Sequence, residues 1–96
     1  MTQTAETILN QLGGNRFLAM TGTKNMVAGE NLLQFSIARR NGINKIVITL
    51  EGNDTYTMQF WYIRGANCDM KSEYENLYAD QLQDIFTDQT GLFTSL

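Results

Sequence analysis

The side chains that could do chemistry in this 96-residue chain are carboxylates, a single cysteine and a single tryptophan, because histidine is absent. Without histidine, neither a Ser-His nor a Cys-His nucleophile pair can form, and the usual Cys/His zinc sites are excluded. Cys68 therefore has no base to activate it, and a lone cysteine more often packs than reacts. We predict that the protein is not an enzyme and has no catalytic residues.

Metal and cofactor sites are also weakly supported. Glu51 and Asp54 flank one turn, but no Asp-x-Asp-x-Asp-Gly loop is present, and calcium needs about six to eight converging oxygens. The glycines of Gly13-Gly14-Asn15-Arg16 are typical of phosphate loops, yet we expect this segment to follow a helix rather than precede one. We predict no metal and no cofactor.

A carboxylate-rich surface is the first candidate for binding. The apolar spacing of Tyr74, Leu77, Tyr78, Leu82, Ile85 and Phe86 predicts a helix over residues 74–87. Glu73, Asp80 and Asp84 would lie opposite that stripe, with no lysine or arginine after Lys71 to offset them. Carboxylates one turn apart are spaced much like backbone phosphates, so this face could mimic DNA. A solvated polar face is the favoured interpretation.

Trp61 is the second candidate for binding. Period-two alternation predicts a strand, the longest of the chain, over residues 55–63, with Tyr56, Met58, Phe60 and Tyr62 on the core side. Trp61 would then point outward as an apolar anchor for a partner. With Arg39, Arg40, Arg64 and Lys45 nearby, it could instead form a stacking platform for single-stranded nucleic acid. In the third alternative, the N-terminal helix or a second copy covers Trp61.

The remaining elements follow from periodicity and from glycine-containing turns. Ala5, Ile8, Leu9 and Leu12 form one helical stripe, which Thr2 or Thr4 caps and Gly13-Gly14 ends. Alternation predicts strands over residues 17–21, 32–38 and 45–50, with weaker strands at residues 26–27 and 68–72. Asn41-Gly42 predicts a tight turn, because both residues accept positive φ.

These elements predict an α+β fold in two layers. An N-terminal helix precedes an antiparallel β-meander of four to five strands, and a C-terminal helix packs on one face of the sheet. The length of 96 residues fits a single domain spanning residues 1–96. Exposed strand edges also make a homo-oligomer plausible.

The composition of the chain indicates which cellular compartment and which class of binding partner to expect. The net charge of −3 opposes phosphate binding, so nucleic acid is a weaker prediction than a protein partner. One cysteine suggests a reducing compartment. The chain shows neither a signal peptide pattern nor an apolar run long enough to span a bilayer, so we expect a cytoplasmic protein without membrane contact.

Three segments together resemble a family of small, uncharacterised proteins encoded by bacteriophages and prophages. They are residues 8–22, residues 48–56 and residues 78–92, which contain Ile8-Leu9-Asn10-Gln11-Leu12-Gly13-Gly14, Ile48-Thr49-Leu50 and Tyr78-Ala79-Asp80, respectively. The resemblance implies a phage or mobile-element origin and a working site in the bacterial cytoplasm. It carries no catalytic residue.

The sequence thus predicts a phage accessory protein that acts by non-catalytic binding of a host or phage protein. The predicted interaction residues are Trp61, Glu73, Asp80 and Asp84. The alternative is a small nucleic-acid-binding module that uses an aromatic and basic sheet face.

Overall fold

Residues 2–92 are described by the computed structural model, in which helices precede and follow a five-stranded sheet in chain order. The elements in chain order are α1 (Gln3–Leu12), α2 (Asn15–Thr21), β1 (Lys24–Ala28), β2 (Leu32–Arg40), β3 (Ile43–Leu50), β4 (Tyr56–Arg64), β5 (Asn67–Leu77), a 3₁₀ turn (Ala79–Gln81) and α3 (Leu82–Thr90). This arrangement confirms the predicted α+β fold. The described residues include no helix that is both long and apolar enough to cross a membrane.

The sheet is an antiparallel meander with the strand order β1-β2-β3-β4-β5. Short turns dictate this order, because a tight turn can join only antiparallel neighbours. Asn41 and Gly42, between β2 and β3, have φ values of 53° and 74°, as the predicted Asn-Gly turn requires. The open meander leaves β1 and β5 as edges and joins every strand to its neighbour in sequence.

The helices cover one face of the sheet and bury its core. Ala5, Ile8 and Leu12 of α1 are fully buried, and the Thr2 hydroxyl accepts a hydrogen bond from the Ala5 N–H (3.2 Å), as the predicted cap requires. The opposite face has no helix of residues 2–92 packed on it. The molecule therefore has a covered face and an open face, and this asymmetry places the candidate site.

Residues 17–21, predicted as a strand, are the last five residues of helix α2. Phe17 and Thr21 are buried while Ala19 between them is exposed, which fits a helix and not the alternation of a strand, and the Thr21 hydroxyl donates to the Phe17 carbonyl (2.7 Å). The Phe17 ring meets Phe35 and Phe86 edge-on, with ring centroids 5.3 and 5.1 Å apart. Packing between β2 and α3 therefore holds this short segment in a helix.

The predicted helix over residues 74–87 is wrong in its first half. β5 extends to Leu77 and is the longest strand at 11 residues, against nine for β4. Tyr74 packs edge-on against Phe60 of the neighbouring strand (6.2 Å between centroids), and Asn76 has a φ of 57°, which is incompatible with a continuous helix. The helix α3 begins only at Leu82.

Candidate interaction face and basic end

The candidate site is the open face of the sheet, and the strand register determines which residues lie side by side on it. One row across the five strands is Lys24, Ser36, Lys45, Trp61 and Met70. The next row is Val27, Gln34, Val47, Gln59 and Glu73. Trp61 therefore points away from the helices, as alternation predicts, and it is half-buried among its neighbours rather than covered by α1.

A chain of hydrogen bonds fixes the indole of Trp61 on this face. The Trp61 Nε1–H donates to Oε1 of Gln59 (3.2 Å), and Nε2 of Gln59 donates to Oε2 of Glu73 (2.7 Å). Because the carboxylate can only accept, it turns the amide of Gln59 so that the amide oxygen faces the indole. Two predicted interaction residues, Trp61 and Glu73, are thus brought together through Gln59, which the sequence analysis did not single out.

A shallow groove of about 260 Å³ lies beside Trp61 on the open face. It is lined by Gln34, Lys45, Val47, Gln59, Trp61, Ile63 and Cys68. Its walls are largely apolar, and its polar groups are amides and one ammonium. Cys68 is a free thiol that is exposed at this groove.

The side chain of Asn44 supports the strand that carries Trp61. Its amide nitrogen donates to the Ile63 carbonyl (2.8 Å), and its amide oxygen accepts from the Ile63 N–H (2.8 Å). These two bonds replace the backbone pairing that β3 no longer supplies beyond Lys45. The end of β4 is therefore held in place two residues beyond Trp61.

The predicted acidic helix face is not formed by the residues assigned to it. Glu73 lies on β5, on the open sheet face, whereas Asp80 lies in the 3₁₀ turn and Asp84 in α3, on the covered side of the sheet. Both aspartates are exposed. What is left on the helix side is an acidic surface of Asp80, Asp84 and Asp88, without the Glu73 contribution.

The antiparallel topology gathers positive charge at one end of the sheet, which the sequence analysis missed. The start of β1, the β2–β3 turn and the β4–β5 turn all lie at this end. Six of the seven basic residues lie there, and Arg16 is the exception. We call this group the basic end; it consists of Lys24, Arg39, Arg40, Lys45, Arg64 and Lys71. The sequence could have indicated this cluster, because the basic residues lie near every second turn of the predicted meander and such turns share one end of the sheet.

The predicted platform of Trp61 with the arginines is only partly assembled. Lys45 is the direct cross-strand partner of Trp61. Arg39 instead lies over the ring of Tyr62, with its guanidinium carbon 5.1 Å from the ring centroid. Since Tyr62 follows Trp61 in a strand, its side chain points to the opposite face. Arg39 and Trp61 therefore do not share one surface.

Metal binding finds no support in the arrangement of carboxylates. Glu51 and Glu75 line a polar depression of about 340 Å³ with Asn53 and Asn76, at the end of the sheet opposite the basic end. Nowhere in residues 2–92 do three or more Cys, Asp or Glu side chains cluster in a way that could hold a metal ion. Gly13-Gly14 does precede a helix, contrary to prediction, but α2 has only seven residues.

Comparison with protein-family models, with curated proteins and with solved structures finds no match for this chain. The resemblance to the phage and prophage family therefore stays a prediction from three sequence segments.

Proposed function

We propose that the protein is a non-catalytic binding module whose open sheet face docks a segment of a partner protein around Trp61. The observation that carries this proposal is the fixed indole: Trp61 is half-buried, lies beside an apolar groove and is oriented by the hydrogen-bond chain to Gln59 and Glu73. Tryptophan side chains fixed in this way on a surface are typical binding anchors. A pre-oriented anchor also loses less entropy when it binds.

The chemistry of the groove indicates what the partner segment presents. Val47 and Ile63 offer apolar contact, and Lys45 adds one positive charge next to the indole. An apolar side chain flanked by a carboxylate would match both features. Gln34 and Gln59 at the groove can serve the backbone of such a segment with amide hydrogen bonds.

The cellular setting of this proposal comes from the sequence. The resemblance to the phage and prophage family supports a mobile-element origin, and with it a host or phage protein as the partner in a bacterial cytoplasm. The single cysteine, which lies exposed at Cys68, suits a reducing compartment. Asp80 and Asp84 form a separate acidic surface on the helix side and have no part in docking at the Trp61 groove.

Affinity capture from bacterial lysate tests the proposal, with the wild-type protein and matched variants as baits after nuclease treatment. We expect a protein to be retained by the wild type and by Asp84→Asn, but lost with Trp61→Ala and reduced with Lys45→Ala. Asp84→Asn serves as the control because it changes charge on the other side of the sheet. A wild-type bait that captures nothing beyond the Trp61→Ala bait contradicts the proposal.

The stability of the Trp61→Ala variant must be measured beside its binding. Trp61 is only half-buried, so we expect a loss of about 1–2 kcal/mol, less than the roughly 3–5 kcal/mol of a fully buried aromatic. Urea unfolding checks this value. A larger loss would show that the indole is a core side chain and not an exposed anchor.

A further inference from the structure

The face opposite Trp61 carries a second aromatic side chain, Tyr62, with two positive charges beside it. The Arg39 guanidinium carbon lies 5.1 Å from the centroid of the Tyr62 ring, and the Lys71 ammonium nitrogen lies 6.0 Å from it. Arg39 and Lys71 are exposed, and Tyr62 is half-buried. Side chains from three strands, β2, β4 and β5, thus converge on one spot, although β3 lies between β2 and β4 in the sheet.

The fold brings Lys71 to Tyr62 through an irregularity in β5. Phe60 pairs with Ser72 and Trp61 pairs with Met70, so Lys71 is the extra residue of a bulge. A bulge re-aims the side chain of its extra residue. Without the bulge, Lys71 would pair with Trp61, and its side chain would lie on the open face, away from Tyr62. The register shift between β4 and β5 therefore places Lys71 beside the Tyr62 ring.

The surroundings extend this positive charge beyond a single pair. Arg40 follows Arg39 at the end of β2, and Arg64 ends β4 two residues after Tyr62, so both belong to the same basic end. Two carboxylates oppose them. Asp69 is the cross-strand partner of Tyr62, and Asp88 lies beside Gln89 of α3, whose backbone carbonyl accepts from Asn41 in the β2–β3 turn.

We propose that Tyr62, Arg39 and Lys71 form a binding site for single-stranded nucleic acid, independent of the docking face around Trp61. An aromatic ring binds an unpaired base of any type by stacking, and neighbouring cations neutralise the phosphates on either side of that base. The exposed cations can move off the ring to meet phosphates, since cation–π pairs at exposed sites are weak. Arg40 and Arg64 continue the path of positive charge for the next phosphates.

Three properties of the site select a single strand as its ligand. Stacking on a ring requires a base that is not already paired, which excludes the interior of a duplex. A row of separated cations matches a chain of phosphodiesters better than one compact anion. The protein carries a net charge of −3, so only this local concentration of cations can attract a polyanion, and affinity must fall steeply with salt.

Fluorescence anisotropy with labelled oligothymidylate and oligouridylate tests the proposal at several salt concentrations. We expect binding at low salt, with log K falling by about 0.7 per contacted phosphate for each unit of log salt. Arg39→Gln combined with Lys71→Gln should flatten that slope. Tyr62→Leu should weaken binding roughly 5- to 150-fold, the range that stacking of one base supplies.

Two further variants distinguish binding at the proposed site from non-specific electrostatic attraction of the oligonucleotide to the protein. Asp69→Asn should tighten binding, because it removes the carboxylate opposite Tyr62 without adding a new contact. Arg16→Gln removes a positive charge on helix α2, outside the proposed site, and should leave affinity nearly unchanged. Circular dichroism of each variant checks that the fold is retained.

Several results would overturn the proposal. The site is not a nucleic-acid site if the wild type fails to bind either oligonucleotide at low salt, or if heparin and a duplex of equal length bind as tightly as the single strand. Equal losses from Arg16→Gln and from the Arg39/Lys71 double variant would show that only overall charge matters. Since Trp61→Ala leaves this site intact, its effect on oligonucleotide binding should be small, and a large effect would move the site to the open face.

Discussion

Glutamine 59 is the residue on which the geometry of the open face depends. Its amide bridges an indole and a carboxylate, donating at 2.7 Å to Glu73 and accepting at 3.2 Å from Trp61. One intramolecular hydrogen bond contributes a net of about 0.5–1.5 kcal/mol to stability, so these two hydrogen bonds add little to the stability of the whole protein. Its effect is on orientation, because an indole without this acceptor can rotate about its side-chain bonds.

We expect Gln59→Ala and Glu73→Ala to loosen the indole without unfolding the protein. The chain has one tryptophan, so fluorescence excited selectively at tryptophan reports on Trp61 alone. Acrylamide quenching should increase in both variants, and affinity for a partner captured by the wild type should fall about 2- to 12-fold, equivalent to one hydrogen bond. Glu75→Ala, the next glutamate along β5, is the control. Unchanged quenching in Gln59→Ala would show that neighbouring side chains, not the amide, hold the ring.

At the scale of elements, several patterns that extend over many residues predicted secondary structure correctly, and one pattern over few residues did not. The stripe of α1 and the alternation of β2, β3 and β4 extend over enough residues to be unambiguous, and those elements were predicted correctly. Residues 17–21 are too few to separate a helix from a strand. In that segment the decisive influence is tertiary, since Phe17 is placed by Phe35 and Phe86 from distant parts of the chain.

The same limit explains the error over residues 74–77. Tyr74 and Leu77 are three residues apart, which fits a helical stripe, but it also fits a strand interrupted by a register shift. Pairing with β4 decides between them, and a sequence does not display pairing. The outward direction of Trp61 followed from local alternation alone. The link to Glu73 and the cations around Tyr62 depend on the register of β5, and neither could be predicted.

Substituting Phe17 tests the packing that converts residues 15–21 into a helix. Its ring is fully buried against an aromatic side chain from β2 and another from α3. Phe17→Ala should therefore lower the free energy of unfolding by about 3–5 kcal/mol, the range for a buried phenylalanine. Met20→Ala, in the same helix but 36% exposed, should cost less than about 1 kcal/mol. Urea unfolding of both variants measures the difference, and equal losses would contradict the packing described for Phe17.

At the scale of the whole molecule, the charges are separated along the strands. The basic end carries six cations with Asp69 among them, and the other end carries Glu30, Glu51, Asp54 and Glu75 in or beside the β1–β2 turn, the β3–β4 turn and the end of β5. A net charge of −3 hides this separation, which is why the sequence analysis gave nucleic acid little weight. The meander itself creates it, because every second turn lies at the same end of the sheet.

The separation predicts that moderate salt stabilises the protein. Arg39 and Lys71 both lie within 6.0 Å of the Tyr62 ring centroid, whereas the two ends are separated along a molecule of 31 × 29 × 23 Å, so we expect repulsion within the basic end to outweigh attraction between the ends. The screening length falls from about 30 Å at 0.01 M salt to about 8 Å at 0.15 M, which weakens that repulsion. We expect sodium chloride over this range to raise Tm by about 2–5 °C.

Thermal unfolding of charge variants distinguishes this cause from a general salt effect. The double variant Arg39→Gln and Lys71→Gln relieves repulsion directly, so it should melt higher than the wild type at low salt and respond less to added sodium chloride. Arg16→Gln lies outside the basic end and should keep the wild-type salt response. If all three proteins gain the same Tm from salt, the clustering of cations has no energetic consequence. If the double variant melts lower at every salt concentration, Arg39 and Lys71 stabilise the fold through Tyr62, and the cation–π contacts outweigh the repulsion.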